Sequence, residues 1–263
     1  MRHIPIFLLL LFSISRLFGT VLIYGDTRKH PDVHRQLIRQ VQALDYDTVV
    51  FTGDMNQKGT TQKEYDQFKD IIRPLRAPFF PVRGNHERDL ELYLKNFPTP
   101  NAKSYYSLVA IPDVLQFIVL DSNLEIIPGS AQYEWLLTEL EQASHPLMLF
   151  IHHPVFSSGY HGDELGLSWF LPTLLSKYPV LAVISGHEHS FEHLQYQGID
   201  YFVSGGGGAP LRNRKTEHPN SRFFQMTHHY NLLHHAADHL LWQCFDLEGK
   251  LLYETRIGLP TEP

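Results

Sequence analysis

The chain has 263 residues, 43% of them hydrophobic, with 22 Lys and Arg against 28 Asp and Glu, a net charge of −6. That length fits one large domain or two small ones with a real core, and the acidic balance excludes general affinity for nucleic acid, which needs a basic surface. The one cysteine, Cys244, excludes an intrachain disulfide and a cysteine-based zinc cage, so any metal must be held by carboxylates, amides and the 17 histidines.

Residues 1–19 stand apart. A short basic start, Met1-Arg2-His3, precedes an apolar run from Ile4 to Ile14, and Ser13-Ile14-Ser15 offers small residues for a signal peptidase. The run is too short for a comfortable transmembrane helix and reads as a secretory signal; the alternatives are an uncleaved anchor and a buried first strand. The expectation is an exported protein, periplasmic or secreted, with no stable membrane span unless this segment is retained.

From residue 20 the chain alternates short apolar runs with helical patterns. Val21–Tyr24 reads as a strand stopping at Gly25-Asp26, Asp47–Thr52 as a strand stopping at Gly53-Asp54, and Phe79–Val82 as a strand stopping at Gly84-Asn85-His86-Glu87. Helices are expected over Pro31–Leu44, Thr61–Ile72 and Asp89–Asn96 between and after them. Ser104–Ala110 and Val114–Leu120, joined by a Pro112-Asp113 corner, read as an antiparallel pair. Gln132–Gln142 is amphipathic, Leu147–Ile151 is a strand ending at His152-His153, and Leu167–Lys177 is helical. Val180–Ser185 is a buried strand ending at Gly186-His187-Glu188-His189; further strands are expected over 190–196, 200–204, 228–235, 239–246 and 250–257. Residues 210–227 read as an irregular loop, and Trp135, Trp169 and Trp242 as core. No linker or repeat divides residues 20–263. The pattern implies one α/β (α+β) domain: a four-layer α/β/β/α sandwich of two mixed β-sheets flanked by helices.

Five strands thus end at metal-ligating or acid–base residues. In α/β folds such sites collect where strands end, because the loops there stand on a rigid base. If the chain stays extended after Gly186, His187 and His189 point to the same side. Two cations about 3.5–4 Å apart can clamp the attacking and leaving oxygens of a phosphoryl displacement. An anion must lie between them, and Asp54 is the carboxylate chosen for that place. The donor types suit manganese, zinc or iron. A histidine beside the leaving oxygen can act as general acid.

The set Gly25-Asp26, Gly53-Asp54, Gly84-Asn85-His86-Glu87, His152 and Gly186-His187-Glu188-His189 resembles the calcineurin-like metallophosphoesterase superfamily, purple acid phosphatases included. Gln132-Tyr133-Glu134-Trp135 and the four-glycine loop Gly205–Gly208 resemble its secreted phosphatase-like branch. The resemblance implies that Asp26 and His189 bind a first metal, that Asp54 bridges, and that Asn85, His152 and His187 bind a second. It makes His86 the proton donor or leaving-group stabiliser, with Asn85 also touching phosphate and His153 a candidate substrate contact. It implies two divalent or transition metal ions and a small phosphorylated substrate. Two departures bear on the first metal: many members have Asp-x-His where Asp26-Thr27-Arg28 stands, and purple acid phosphatases have a tyrosine where Gln57 stands. Arg28 is expected to bind substrate phosphate at the mouth of the site. The expected activity is phosphomonoester hydrolysis; the alternatives are a phosphodiesterase or nuclease, and a phosphate-binding module with an incomplete metal site.

Overall fold

The structure, a computed structural model, describes residues 19–260; the segment read as a signal or anchor, save Gly19, lies outside them. Strand alternation generates the layers. The first sheet is built from β1 (Thr20–Tyr24), β2 (Thr48–Phe51), β3 (Phe79–Pro81), β11 (His229–His235), β12 (His239–Asp246) and β13 (Leu251–Gly258) in the order β13-β12-β11-β1-β2-β3. The second contains β4 (Tyr106–Ile111), β5 (Leu115–Val119), β6 (Leu147–Phe150), β7 (Val180–Ser185), β8 (Phe191–Tyr196), β9 (Ile199–Ser204) and β10 (Ser221–Gln225) in the order β10-β8-β9-β7-β6-β5-β4. Both are mixed: β1, β2 and β3 run parallel with β11 antiparallel to β1, while β5, β6, β7 and β9 run parallel between antiparallel edges.

Alternate side chains of one strand enter different cores. Val21 and Ile23 of β1 face the second sheet, where Trp242 stacks on Phe202 with ring centroids 3.9 Å apart. Leu22 and Tyr24 face outward under α1 (Pro31–Val41), α2 (Gln62–Ile72) and α3 (Leu90–Asn96). On the other side, Ile118, Leu149 and Val183 pack under α4 (Ala131–Glu141), α5 (Leu165–Ser168) and α6 (Leu171–Leu175). This is the expected four-layer sandwich. Helix starts are fixed chemically: Thr61, Asp89 and Ser130 accept from the N–H groups of Glu64, Leu92 and Tyr133. No helix among the described residues is long and apolar enough to cross a membrane.

Three local expectations change. The helix read over Leu167–Lys177 is two short helices, α5 and α6, because Pro172 has no N–H to continue the ladder. Trp169, read as core, falls at that break and is 85% exposed. The loop read over 210–227 contains strand β10, whose Phe224 registers against Glu192 of β8; its partner lies outside the local sequence.

One buried ion pair ties the sandwich to the loop after β3. Asp121 accepts from Arg83 Nη1 at 3.0 Å and from Ser104 Oγ, and Gln132 bonds to both its backbone groups. Arg83 Nε in turn donates to the Glu87 carbonyl at 2.9 Å. Removing one partner leaves a charge buried and unpaired, so Asp121→Ala should lower unfolding free energy by about 3–5 kcal/mol. Urea titration of wild type and variant measures it.

Candidate metal centre

All five strand ends lie on one edge of the sandwich. Backbone bonds lock them together: Asp26 N–H donates to Gly53 O at 2.8 Å, Thr27 N–H to Asp54 O at 3.1 Å, and Gly186 N–H to His152 O at 3.1 Å. Asp26 and Asp54 both adopt left-handed backbone, φ 57° and 59°, a conformation aspartate tolerates better than most residues. Asp26 then accepts from the His187 N–H with both oxygens, at 3.0 and 3.2 Å. Asp54 Oδ1 accepts from the His86 N–H at 3.0 Å. Gly84 packs directly on Asp54, and a Cβ there would collide with its Oδ1 and N. Gly186 and Gly205 press on Asp26 in the same way, which gives the glycine-rich loop its close approach to the site.

His187 and His189 reach the site by a different route from the strand alternation the sequence suggested. β7 stops at Ser185, and His187 itself is left-handed, φ 67°. The Glu188 N–H bonds Gly186 O, and the Ser190 N–H bonds Glu188 O. The segment is therefore a compact turn, and it separates the two imidazoles. His187 Nδ1 lies 3.1 Å from Asn85 Oδ1, whereas His189 Nε2 lies 3.7 Å from Asp26 Oδ1.

Two sets of electron-pair donors result. In one, His152 Nδ1 donates to Thr52 O at 2.8 Å, so that in the neutral ring Nε2 is the lone pair. That lone pair faces Asp54 Oδ1 at 3.3 Å and Asn85 Oδ1 at 3.1 Å. Acceptors facing acceptors, with His187 beside them, form an arrangement that a cation satisfies. In the other set, ligand atoms of Asp26, Asp54 and His189 all lie within 4.8 Å of one another. The electrostatics agree with a cation as the missing partner. Burial first, and the neighbouring Asp54 charge second, push the Asp26 carboxyl well above its ordinary range. Asp54 is held below its ordinary range, because His152, His86 and Arg28 outweigh its burial. Burial lowers three of the imidazoles: His153 to about 4, His189 to about 3, and His187 as well. Neutral imidazoles and carboxylates are what a borderline transition metal takes.

His86 stands at the edge of this cluster. Its Nδ1 donates to the Gln57 carbonyl at 2.6 Å, and its Nε2 lies 3.8 Å from Asp54 Oδ2. A carbonyl can only accept, so Nδ1 keeps its proton and Nε2 is the atom free to exchange one. The Gln57 side chain is exposed and contributes its backbone instead.

Arg28 is not at the mouth. It is 8% exposed, with Nε 3.3 Å from Asp54 Oδ2 and Nη2 3.4 Å from His189 Nε2. The residue expected to greet substrate from outside is packed among the acidic donors, because the turn after Asp26 carries it inward.

The rim holds three more groups. His153 bonds Ser122 Oγ at 2.7 Å through Nδ1, and its ring lies 4.4 Å from that of His187. His161, from the loop after β6, also lies 4.4 Å from the His187 ring. Arg212 Nη1 reaches His161 Nε2 at 3.1 Å, and its guanidinium sits 5.2 Å from the Tyr160 ring centroid. His228 and His229 instead bond backbone carbonyls of Gly206 and Thr227.

Sequence reasoning missed the two buried glutamates of the motifs. Glu87 accepts from the N–H groups of Asp54, Gly84 and Asn56 at 2.9, 3.0 and 3.1 Å. Burial and then Asp54 raise it to about 8. Glu188 accepts from the Tyr160 N–H at 2.9 Å and from His161. Each ties one site loop to another that is distant in sequence, and nothing beyond its place inside a motif signals this.

Two mixed sheets with a strand-end cluster of acidic and imidazole donors define the class as a metallophosphoesterase. The sequence profile described as calcineurin-like phosphoesterase matches residues 19–191, and the chain belongs to that family. A relative described as probable glycerophosphodiester phosphodiesterase GpdQ, from Arcobacter nitrofigilis, is 31% identical over 60% of this chain and 64% of its own length. Human tartrate-resistant acid phosphatase type 5 is 25% identical over 87% of this chain and 84% of its own. Among solved structures, a purple acid phosphatase from yellow lupin seeds superposes with a TM-score of 0.82 at 22% identity, over 91% of this chain and 53% of that one. The chain therefore spans under two thirds of the phosphodiesterase relative and about half of the lupin enzyme; at that identity the lupin likeness concerns the fold.

Proposed function

We propose that the protein is a metal-dependent phosphomonoesterase. The observation that carries the reading is the meeting of bare acceptors, His152 Nε2 with Asp54 Oδ1 and Asn85 Oδ1, beside a histidine whose Nε2 alone is free to exchange a proton. In this reading Asp54, Asn85, His152 and His187 hold a divalent ion, and Asp26, Asp54 and His189 form the neighbouring donor set. A divalent ion there supplies Lewis acidity to phosphoryl oxygens and acidity to water.

The chain's own groups do the rest. In its imidazolium form His86 gives the Nε2 proton to the leaving oxygen, and the Gln57 carbonyl keeps the ring turned for it. Asn85 and His153 contact the phosphate. At the rim, the charge-bearing fork of Arg212 favours a phosphate dianion, which is the charge state of a monoester near neutral pH. The match to the human acid phosphatase, over more of this chain than the match to the phosphodiesterase, supports the same preference. The phosphodiesterase reading is favoured by one observation, the higher identity to the Arcobacter relative.

Hydrolysis of 4-nitrophenyl phosphate and bis(4-nitrophenyl) phosphate by the manganese-, zinc- or iron-loaded protein separates the two. Monoester kcat/KM should exceed that of the diester by about tenfold or more, a difference of about 1.4 kcal/mol in the barrier. The opposite order makes the protein a diesterase, and a metal-free, inactive preparation overturns the enzymatic reading.

A further inference from the structure

We infer that the guanidinium of Arg28 occupies the place of the first metal, so that the centre takes a single divalent ion, held by Asp54, Asn85, His152 and His187. The inference rests on the metal-dependent reading above and concerns how many ions that centre holds.

The argument begins with which lone pairs remain free. Of the three donors that could hold a first ion, Asp26, Asp54 and His189, two already face Arg28. Asp54 Oδ2 accepts from Nε at 3.3 Å. His189 donates through Nδ1 to Pro210 O at 2.7 Å, so its Nε2 is a lone pair, and Arg28 Nη2 lies 3.4 Å from it. A guanidinium cannot accept a hydrogen bond and keeps its charge at any working pH. Its N–H groups therefore point at the same two lone pairs that an ion would need.

The second consideration is where Arg28 could go. It is 8% exposed and its partner Asp54 is 1% exposed. Displacing it by an ion would strip a buried cation of its partner and set it against a divalent charge at close range. Breaking a buried pair in this way is strongly unfavourable, and the new contact is repulsive. Two divalent ions together with a guanidinium would also face only two carboxylates, Asp26 and Asp54.

The other donor set is untouched. None of the contacts among His152, Asn85, His187 and Asp54 Oδ1 involves Arg28. Asp54 thus spans an ion on Oδ1 and a guanidinium on Oδ2. Arg28 stands at the position where the family pattern Asp-x-His supplies a ligand, so the substitution removes a donor and adds a cation at one point. Gln57, at the other departure, is exposed and meets His86 through its backbone carbonyl.

The test counts ions. Full-length protein and its Arg28→His and Arg28→Ala variants are loaded with Mn(II), passed through a desalting column, and analysed for metal by mass spectrometry and for spin coupling by electron paramagnetic resonance. Wild type should retain one equivalent with an uncoupled mononuclear spectrum. Arg28→His should retain two equivalents with an exchange-coupled spectrum, and Arg28→Ala should gain a second, weaker equivalent. Two equivalents in wild type overturn the inference and leave the metal-dependent reading intact. One equivalent in an Arg28→His protein with a wild-type circular dichroism spectrum also overturns it. No bound metal in wild type overturns the proposed function itself, and the inference with it.

Discussion

Asp54→Asn should reduce kcat/KM for aryl phosphates by about 10³-fold or more, roughly 4 kcal/mol of barrier, and should lower bound metal below one equivalent. Asp54 is the most heavily shared group in the centre. Oδ1 faces His152 Nε2 at 3.3 Å and accepts from the His86 N–H at 3.0 Å, while Oδ2 faces Arg28 Nε at 3.3 Å. The amide is nearly isosteric, so it can keep the His86 N–H bond through its oxygen. It cannot keep the charge, and its NH₂ points a donor at groups that are donors themselves. The loss should therefore appear in metal content and turnover, with little change in the circular dichroism spectrum. Equal hydrolysis by wild type and Asp54→Asn would show that Asp54 does not bridge the centre.

His86→Ala should behave differently, and the difference identifies its role. For an alkyl phosphate, whose leaving oxygen needs a proton, kcat should fall by about 10²–10⁴-fold. For 4-nitrophenyl phosphate, whose leaving group departs as a stable anion, the fall should be about tenfold or less. Metal content should be unchanged, because His86 Nε2 lies 3.8 Å from Asp54 Oδ2 and its other nitrogen is committed to the Gln57 carbonyl. Steady-state kinetics on the two esters measure the contrast. An equal loss on both would assign His86 to holding Asp54 or the phosphate rather than to proton delivery.

The layers of this protein were legible in its local patterns. Short apolar runs such as Thr48–Phe51 and Leu147–Phe150 could only be buried strands, and the spacing of Leu37, Ile38 and Val41 could only be one helix face. Strand β10 was not legible, because Ser221–Gln225 is partly exposed and is a strand only through its pairing with β8. Trp169 misled for a related reason: composition places tryptophan inside, and a proline three residues on turned it out.

The sequence alone nominated the candidate groups of the site. Residue type and position after a strand nominated Asp26, Asp54, Asn85, His86, His152, His187 and His189, since strand ends in such folds converge whatever the loops do. The tertiary structure decided how those groups are shared. Left-handed backbone at Asp26, Asp54 and His187 re-aims side chains in ways that strand periodicity does not carry. The same turn takes Arg28 from the expected rim to a place between Asp54 and His189, partners 26 and 161 positions away. Charge compensation in a buried cluster depends on which groups meet in space, and sequence separation carries no trace of it.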